Sequence, residues 1–154
     1  MVNKVKIANV QIKNNPSPFT ENIVMDVAVD CIEQINADLE LEVVYVGNSE
    51  NPQGDQVLDS VCVGPVKVGT NKFTLTAPPP NIEKIAAADL LDCTVLLLKV
   101  SYKNQLFTQV GYFVSNYYAD PQLQENPPAQ PVVDKLMRNL NDTPRVTTFS
   151  IDWD

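Results

Sequence analysis

The segment Cys93–Ser115 constrains this chain more than any other. It reads CTVLLLKVSY, then a short polar KNQ, then LFTQVGYFVS. It is the longest apolar stretch, and it is broken only where a turn fits. β-Branched and aromatic residues dominate both arms, which predicts two antiparallel strands. A three-residue loop is expected between them, with Asn104 supplying a left-handed backbone. An odd loop gathers Leu96, Leu98, Val100, Leu106, Val110 and Val114 on one face, which reads as core. The other face collects Cys93, Val95, Leu97, Lys99, Gln109 and Phe113. A mixed face of this kind is either a partner surface or a second core face covered by another layer. Periodicity leaves both open.

The rest of the chain reads as further short strands. Val5–Ile12 is a strand whose pattern slips near Ala8 and Asn9, as at a bulge. NNPSPF (14–19) is a rigid loop. Ile23–Ile32 alternates cleanly, with Met25, Val27, Val29 and Cys31 inward. Leu39–Val46 places Leu41, Val43 and Tyr45 inward, while its outer positions pass from Glu40 and Glu42 to apolar Val44 and Val46. QVLDSVCVGPV (56–66) reads as a broken strand pair, and Gly69–Asn71 as a turn into Lys72–Ala77. Short helices are expected over Ile82–Asp89, capped by Asn81, and from Pro131 through Val132, Leu136, Met137 and Leu140. Tyr117–Ala129 reads as irregular, and a last strand, Arg145–Trp153, carries Phe149, Ile151 and Trp153 on one face. The fold expected is an all-β, two-sheet antiparallel sandwich with two short helices in its connections, one domain over residues 1–154.

The chain has 154 residues, no histidine and a net charge of −8. Without histidine there is no conventional nucleophilic triad and no usual zinc site, and neither a phosphate loop nor a dinucleotide fingerprint occurs. No enzyme activity, cofactor or metal is expected. Cys31, Cys62 and Cys93 lie in apolar runs and read as buried free thiols. No stretch reaches the length of a membrane span and the start lacks a signal-peptide run, so a soluble intracellular protein is expected. Between Lys13 and Lys67 every charged residue is acidic, which argues against nucleic acid as the direct ligand and suits a basic partner. A calcium-dependent lipid module would need converging oxygen ligands and a membrane-facing loop, and neither is apparent.

The stretches NNPSPF (14–19), YVGNSE (45–50), DQVLDSVCVGPV (55–66), TVLLLKVSY (94–102), FTQVGYFVSN (107–116), ENPP (125–128) and PRVTTFSIDW (144–153) resemble the core domain of the anti-silencing-function histone chaperones. The resemblance spans the chain in order. It implies an immunoglobulin-like sandwich that binds the heterodimer of histones three and four and covers the surface through which two heterodimers would join. It implies a monomeric, nuclear protein, with a cytoplasmic pool during histone import, that passes its cargo to assembly machinery. For histone three, it implies contacts at Val46, Glu50, Asp55, Asp89, Cys93, Val95, Leu97, Gln109 and Tyr112. For the tail of histone four, added as a strand, it implies Ile7, Val110, Phe113, Leu140, Arg145 and Thr147. For short basic motifs of downstream chaperones, it implies Asp38, Glu40, Asp59, Val61 and Phe73.

Three positions depart from the family pattern. Gln109 stands in place of an arginine, so a charged contact to histone three is expected to become neutral. Phe113 replaces a tyrosine, and Ala37 replaces an acid of the downstream edge. The alternative function is a non-enzymatic immunoglobulin-like adaptor for another basic protein.

Overall fold

The structure, a computed structural model, describes residues 3–13, 15–46, 55–81, 85, 91, 94–140 and 144–153, with the backbone alone at Asp55. The expected helix over Ile82–Asp89 lies outside the described residues, apart from Ile85. The described chain is nearly all antiparallel strand and forms the expected sandwich. Its strands are β1 (Val5–Ile12), β2 (Ser17–Pro18), β3 (Ile23–Cys31), β4 (Leu39–Val46), β5 (Asp55–Val63), β6 (Gly69–Ala77), β7 (Thr94–Tyr102), β8 (Gln105–Tyr118), β9 (Leu136–Leu140) and β10 (Arg145–Thr148). The smaller sheet has the order β1-β3-β6. The larger runs β2-β9-β8-β7-β4-β5, and β10 joins it alongside β8.

Strict alternation makes the core. Met25, Val27, Val29 and Cys31 of β3 meet Leu41, Val43 and Tyr45 of β4 and Leu96, Leu98 and Val100 of β7 in a single apolar cluster. Each of these side chains is almost wholly removed from water, at about 25 cal/mol for every Å² of apolar surface. Tyr112 ties the two layers together by donating its hydroxyl to the Val10 carbonyl, 3.4 Å away. Trp153 closes one end of the sandwich. It stacks on Tyr102 at 4.9 Å between centroids, meets Phe107 edge-on at 4.8 Å, and donates its indole N–H to Asn3 Oδ1 at 3.1 Å.

The central hairpin differs from expectation in an instructive way. Its loop has two residues, Lys103 and Asn104, both with positive φ (49° and 64°), and Gln105 pairs with Tyr102. That geometry matches the twist of the flanking strands better than a longer loop does. A bulge then inserts Phe107, so Ser101 faces Leu106 while Val100 faces Thr108. Beyond the bulge the register equals that of a three-residue loop, and Leu96, Leu98, Val110 and Val114 lie inward as expected. Leu106 does not. It lies on the outer face with Ser101, and Phe107 takes the core position at 0% exposure.

Other elements also depart from the sequence reading. Residues 55–63 form one continuous strand, bulged where β4 passes from Val43 to Val44, and Gly69–Asn71 belongs to β6. The helix expected from Pro131 is a 3₁₀ turn at Val133–Lys135 followed by β9. The spacing of Val132, Leu136 and Leu140 fits a helix, but Leu136, Arg138 and Leu140 also fit a strand, and β8 outruns β7 and offers its far end to a new partner. The α-helix α1 instead falls at Pro121–Glu125, within the stretch read as irregular, capped by Asp120 accepting from Gln122 N. β10 ends at Thr148, which leaves Phe149 43% exposed. Cys62, expected buried, is exposed on β5.

Candidate functional site

The outer face of the larger sheet carries the site. Register places its residues in rows across the strands. Val57, Val44, Leu97, Gly111 and Arg145 form one row, and Val46, Val95 and Phe113 form the next. Below the first row lie Glu42, Lys99, Gln109 and Thr147. The open alternative of a second, covered core face is thereby decided for the described residues. Val57 is 59% and Phe113 57% exposed, whereas Val44 is buried at 3%.

Glycine shapes the centre of this face. A side chain at Gly111 would come within 3.3 Å of Leu97 Cδ2 and 3.9 Å of the Arg145 carbonyl. Bare backbone therefore floors a hollow of about 200 Å³, lined by Val95, Leu97, Gln109, Gly111, Tyr112, Phe113, Arg145 and Thr147. Apolar floor and polar rim together suit an inserted apolar anchor with hydrogen-bonding surroundings.

Of the residues implied for histone three, Val46, Val95, Leu97 and Gln109 are half-buried on this face, and Asp55 begins β5 opposite Val46. Glu50, Asp89 and Cys93 lie outside the described residues. Tyr112 points the other way, into the core, at 3% exposure, and burial raises its pKa. It is nonetheless among the residues that line the hollow.

The set implied for the histone-four tail divides. Val110 and Leu140 are core residues, 1% and 2% exposed, and Asn15 clamps the Leu140 backbone by bonding both its N–H and its carbonyl. Phe113 pairs with Val95 and lies exposed on the apolar face. β10 is the divider: Arg145 and Thr147 line the outer hollow, while Val146 and Thr148 turn toward β1. There, with Asn3, Val5, Lys6, Ile7, Thr108, Phe149 and Ser150, they line a second groove of about 390 Å³. Among the described residues β10 pairs with β8 alone, so its other edge is open to strand addition.

The downstream set is dispersed as well. Asp59 and Val61 of β5 and Phe73 of β6 are half-buried, and Val61 and Phe73 pack against the core. Asp38 precedes β4 and packs on Gly64, where any side chain would overlap its carboxylate. Glu40 is on the outer face, its carboxylate accepting from the Asn104 N–H of the hairpin turn at 2.9 Å. Among the described residues, no three metal-ligating side chains stand together.

Val57 and Gly111 escaped the sequence reading. The adjacent apolar pair Val57-Leu58 breaks alternation and signals the bulge that turns Val57 outward. A lone glycine inside a long strand signals close approach of backbone to something else.

A family model described as ASF1 like histone chaperone matches residues 2–154. The chain belongs to the ASF1 like histone chaperone family. It is 46% identical over 152 residues to "Histone chaperone asf1" of Drosophila melanogaster, covering 98% of this chain and 70% of that protein. It is 43% identical to the Dictyostelium discoideum protein of the same name, covering 97% of each. With "Histone chaperone ASF1" of Saccharomyces cerevisiae it shares 45% identity over 97% of this chain but only 54% of the yeast protein. The match thus spans almost the whole Dictyostelium relative and about half of the yeast one.

Proposed function

We propose that this protein is a nuclear histone chaperone that binds one heterodimer of histones three and four by surface complementarity, without catalysis. The hollow over Gly111 takes an apolar anchor of a histone-three helix, with Val44, Val46, Val57, Val95, Leu97 and Phe113 around it. The tail of histone four adds as a strand along the open edge of β10, with a side chain in the groove beside Ile7 and Val146. Occupying both places covers the surface through which two heterodimers would pair. Asp59, Val61 and Phe73, together with Asp38, receive short basic motifs of downstream chaperones. The protein acts as a monomer and a single domain, and part of it meets histones in the cytoplasm. The observation that carries the reading is an apolar hollow on an outward sheet face, in a chain of this family, where a free sandwich would present polar groups.

The test is to mix the protein with purified histones three and four and determine the mass of the complex. One copy of each component is expected. Val95→Arg keeps the fold but abolishes co-elution, because a cation is then buried without a partner in the apolar centre. A complex that survives Val95→Arg, or equal binding of the other core histone pair, refutes the assignment.

A further inference from the structure

We propose that Glu42 and Lys99 form a two-charge border that reads a base and an acid one helical turn apart on the bound partner helix. The inference deepens the histone reading and rests on it. Glu42 of β4 lies directly opposite Lys99 of β7, which lies directly opposite Gln109 of β8. All three are half-buried on the outer face, in the row beneath Leu97 and the hollow.

Adjacent strands are about 4.8 Å apart, so Glu42 and Lys99 leave the sheet at nearly the spacing of residues i and i+3 or i+4 on a helix, about 5–6 Å. Although Glu42 and Lys99 are register partners, Lys99 forms no ion pair among the described residues. Both charges therefore remain available to a ligand. A uniformly basic partner would be repelled by Lys99, and Arg145 lies at the other side of the same hollow. In a chain of net charge −8, cations bordering the apolar centre fit a ligand that brings carboxylates there. The neutral Gln109 does not leave this row without a cation, because Lys99 is its register partner on β7.

The experiment is calorimetric titration of purified heterodimer of histones three and four into the protein and its variants at 0.15 M salt. Thermal unfolding confirms that each variant folds. Lys99→Gln and Glu42→Gln are each expected to weaken binding about five-fold and to make its salt dependence shallower. Glu42→Lys combined with Lys99→Glu preserves net charge and is expected to bind more weakly than either single variant. Lys99→Gln binding as well as or better than the parent, or a swapped pair that binds like the parent, overturns the border. Val95→Arg serves as the separate control. If it abolishes binding while the border variants do nothing, the histone reading stands and this inference falls.

Discussion

Moving a guanidinium out of water costs several kcal/mol, so Arg138, 1% exposed, must be compensated where it lies. Its Nη1 donates to the Phe19 carbonyl at 3.0 Å, and its Nη2 donates to Ser17 Oγ and the Glu21 carbonyl, both at 3.1 Å. Nε is buried without a partner, and desolvation lowers the pKa of the group. Arg138 thus pins the proline-rich loop, including β2, against β9. Nothing in the sequence marks it, since arginine is among the residue types least often fully buried. Arg138→Ala should therefore destabilise by about 2–4 kcal/mol, combining unmet carbonyls with an unfilled space. Urea unfolding followed by Trp153 fluorescence measures it. A loss under about 1 kcal/mol would mean that water replaces the guanidinium without difficulty.

At the scale of elements, alternation was legible wherever a strand has one wet and one dry face. That holds for β1 with its bulge, for β3 and β4, and for the far part of the hairpin. What remained hidden is what local pattern does not encode. The 136–140 segment satisfies helical and strand periods alike, and pairing with the free end of β8 decides between them. The hairpin loop and its bulge compensate each other, so the inferred faces of Val95, Leu97, Gln109 and Phe113 were right although the loop was not. The site was legible as a mixed face, but Tyr112, Val110 and Leu140 point inward and three expected residues lie outside the described segments. A pair of substitutions separates the two registers. Phe107→Ala removes a ring packed on Trp153 and should cost about 3–4 kcal/mol, whereas Leu106→Ala on the outer face should cost under about 1 kcal/mol. Had the loop been odd, the order would be reversed, and urea unfolding of the two variants decides it.

Across the whole molecule, folding redistributes a charge pattern that looks uniform along the chain. The described acids of the stretch between Lys13 and Lys67 do not all share one face. Asp26 and Asp30 lie on the outer face of the small sheet, where Lys13 reaches Asp26 at 3.3 Å and Lys6 pairs in register with Asp30. Thr74 donates to Asp26 and Thr70 to Asp30, each at 2.8 Å. The Thr74 bond first, then Lys13, lowers the Asp26 pKa. Glu40 and Glu42 lie on the opposite side of the sandwich, on the outer face that carries the hollow, where they line a groove with Lys99. Packed sheets are about 10 Å apart and their outer faces are farther apart still, while charges are screened over about 8 Å at physiological salt. The small-sheet acids are therefore largely invisible to a partner approaching the large sheet. Asp26→Asn combined with Asp30→Asn should leave the association rate with histones three and four within about two-fold of the parent. Glu40→Gln combined with Glu42→Gln should slow it about five-fold or more at low salt, with the gap closing as salt rises. Stopped-flow association over a salt series reads both. Equal slowing by the two pairs would mean that net charge alone steers the encounter and that the arrangement imposed by the fold is irrelevant to it.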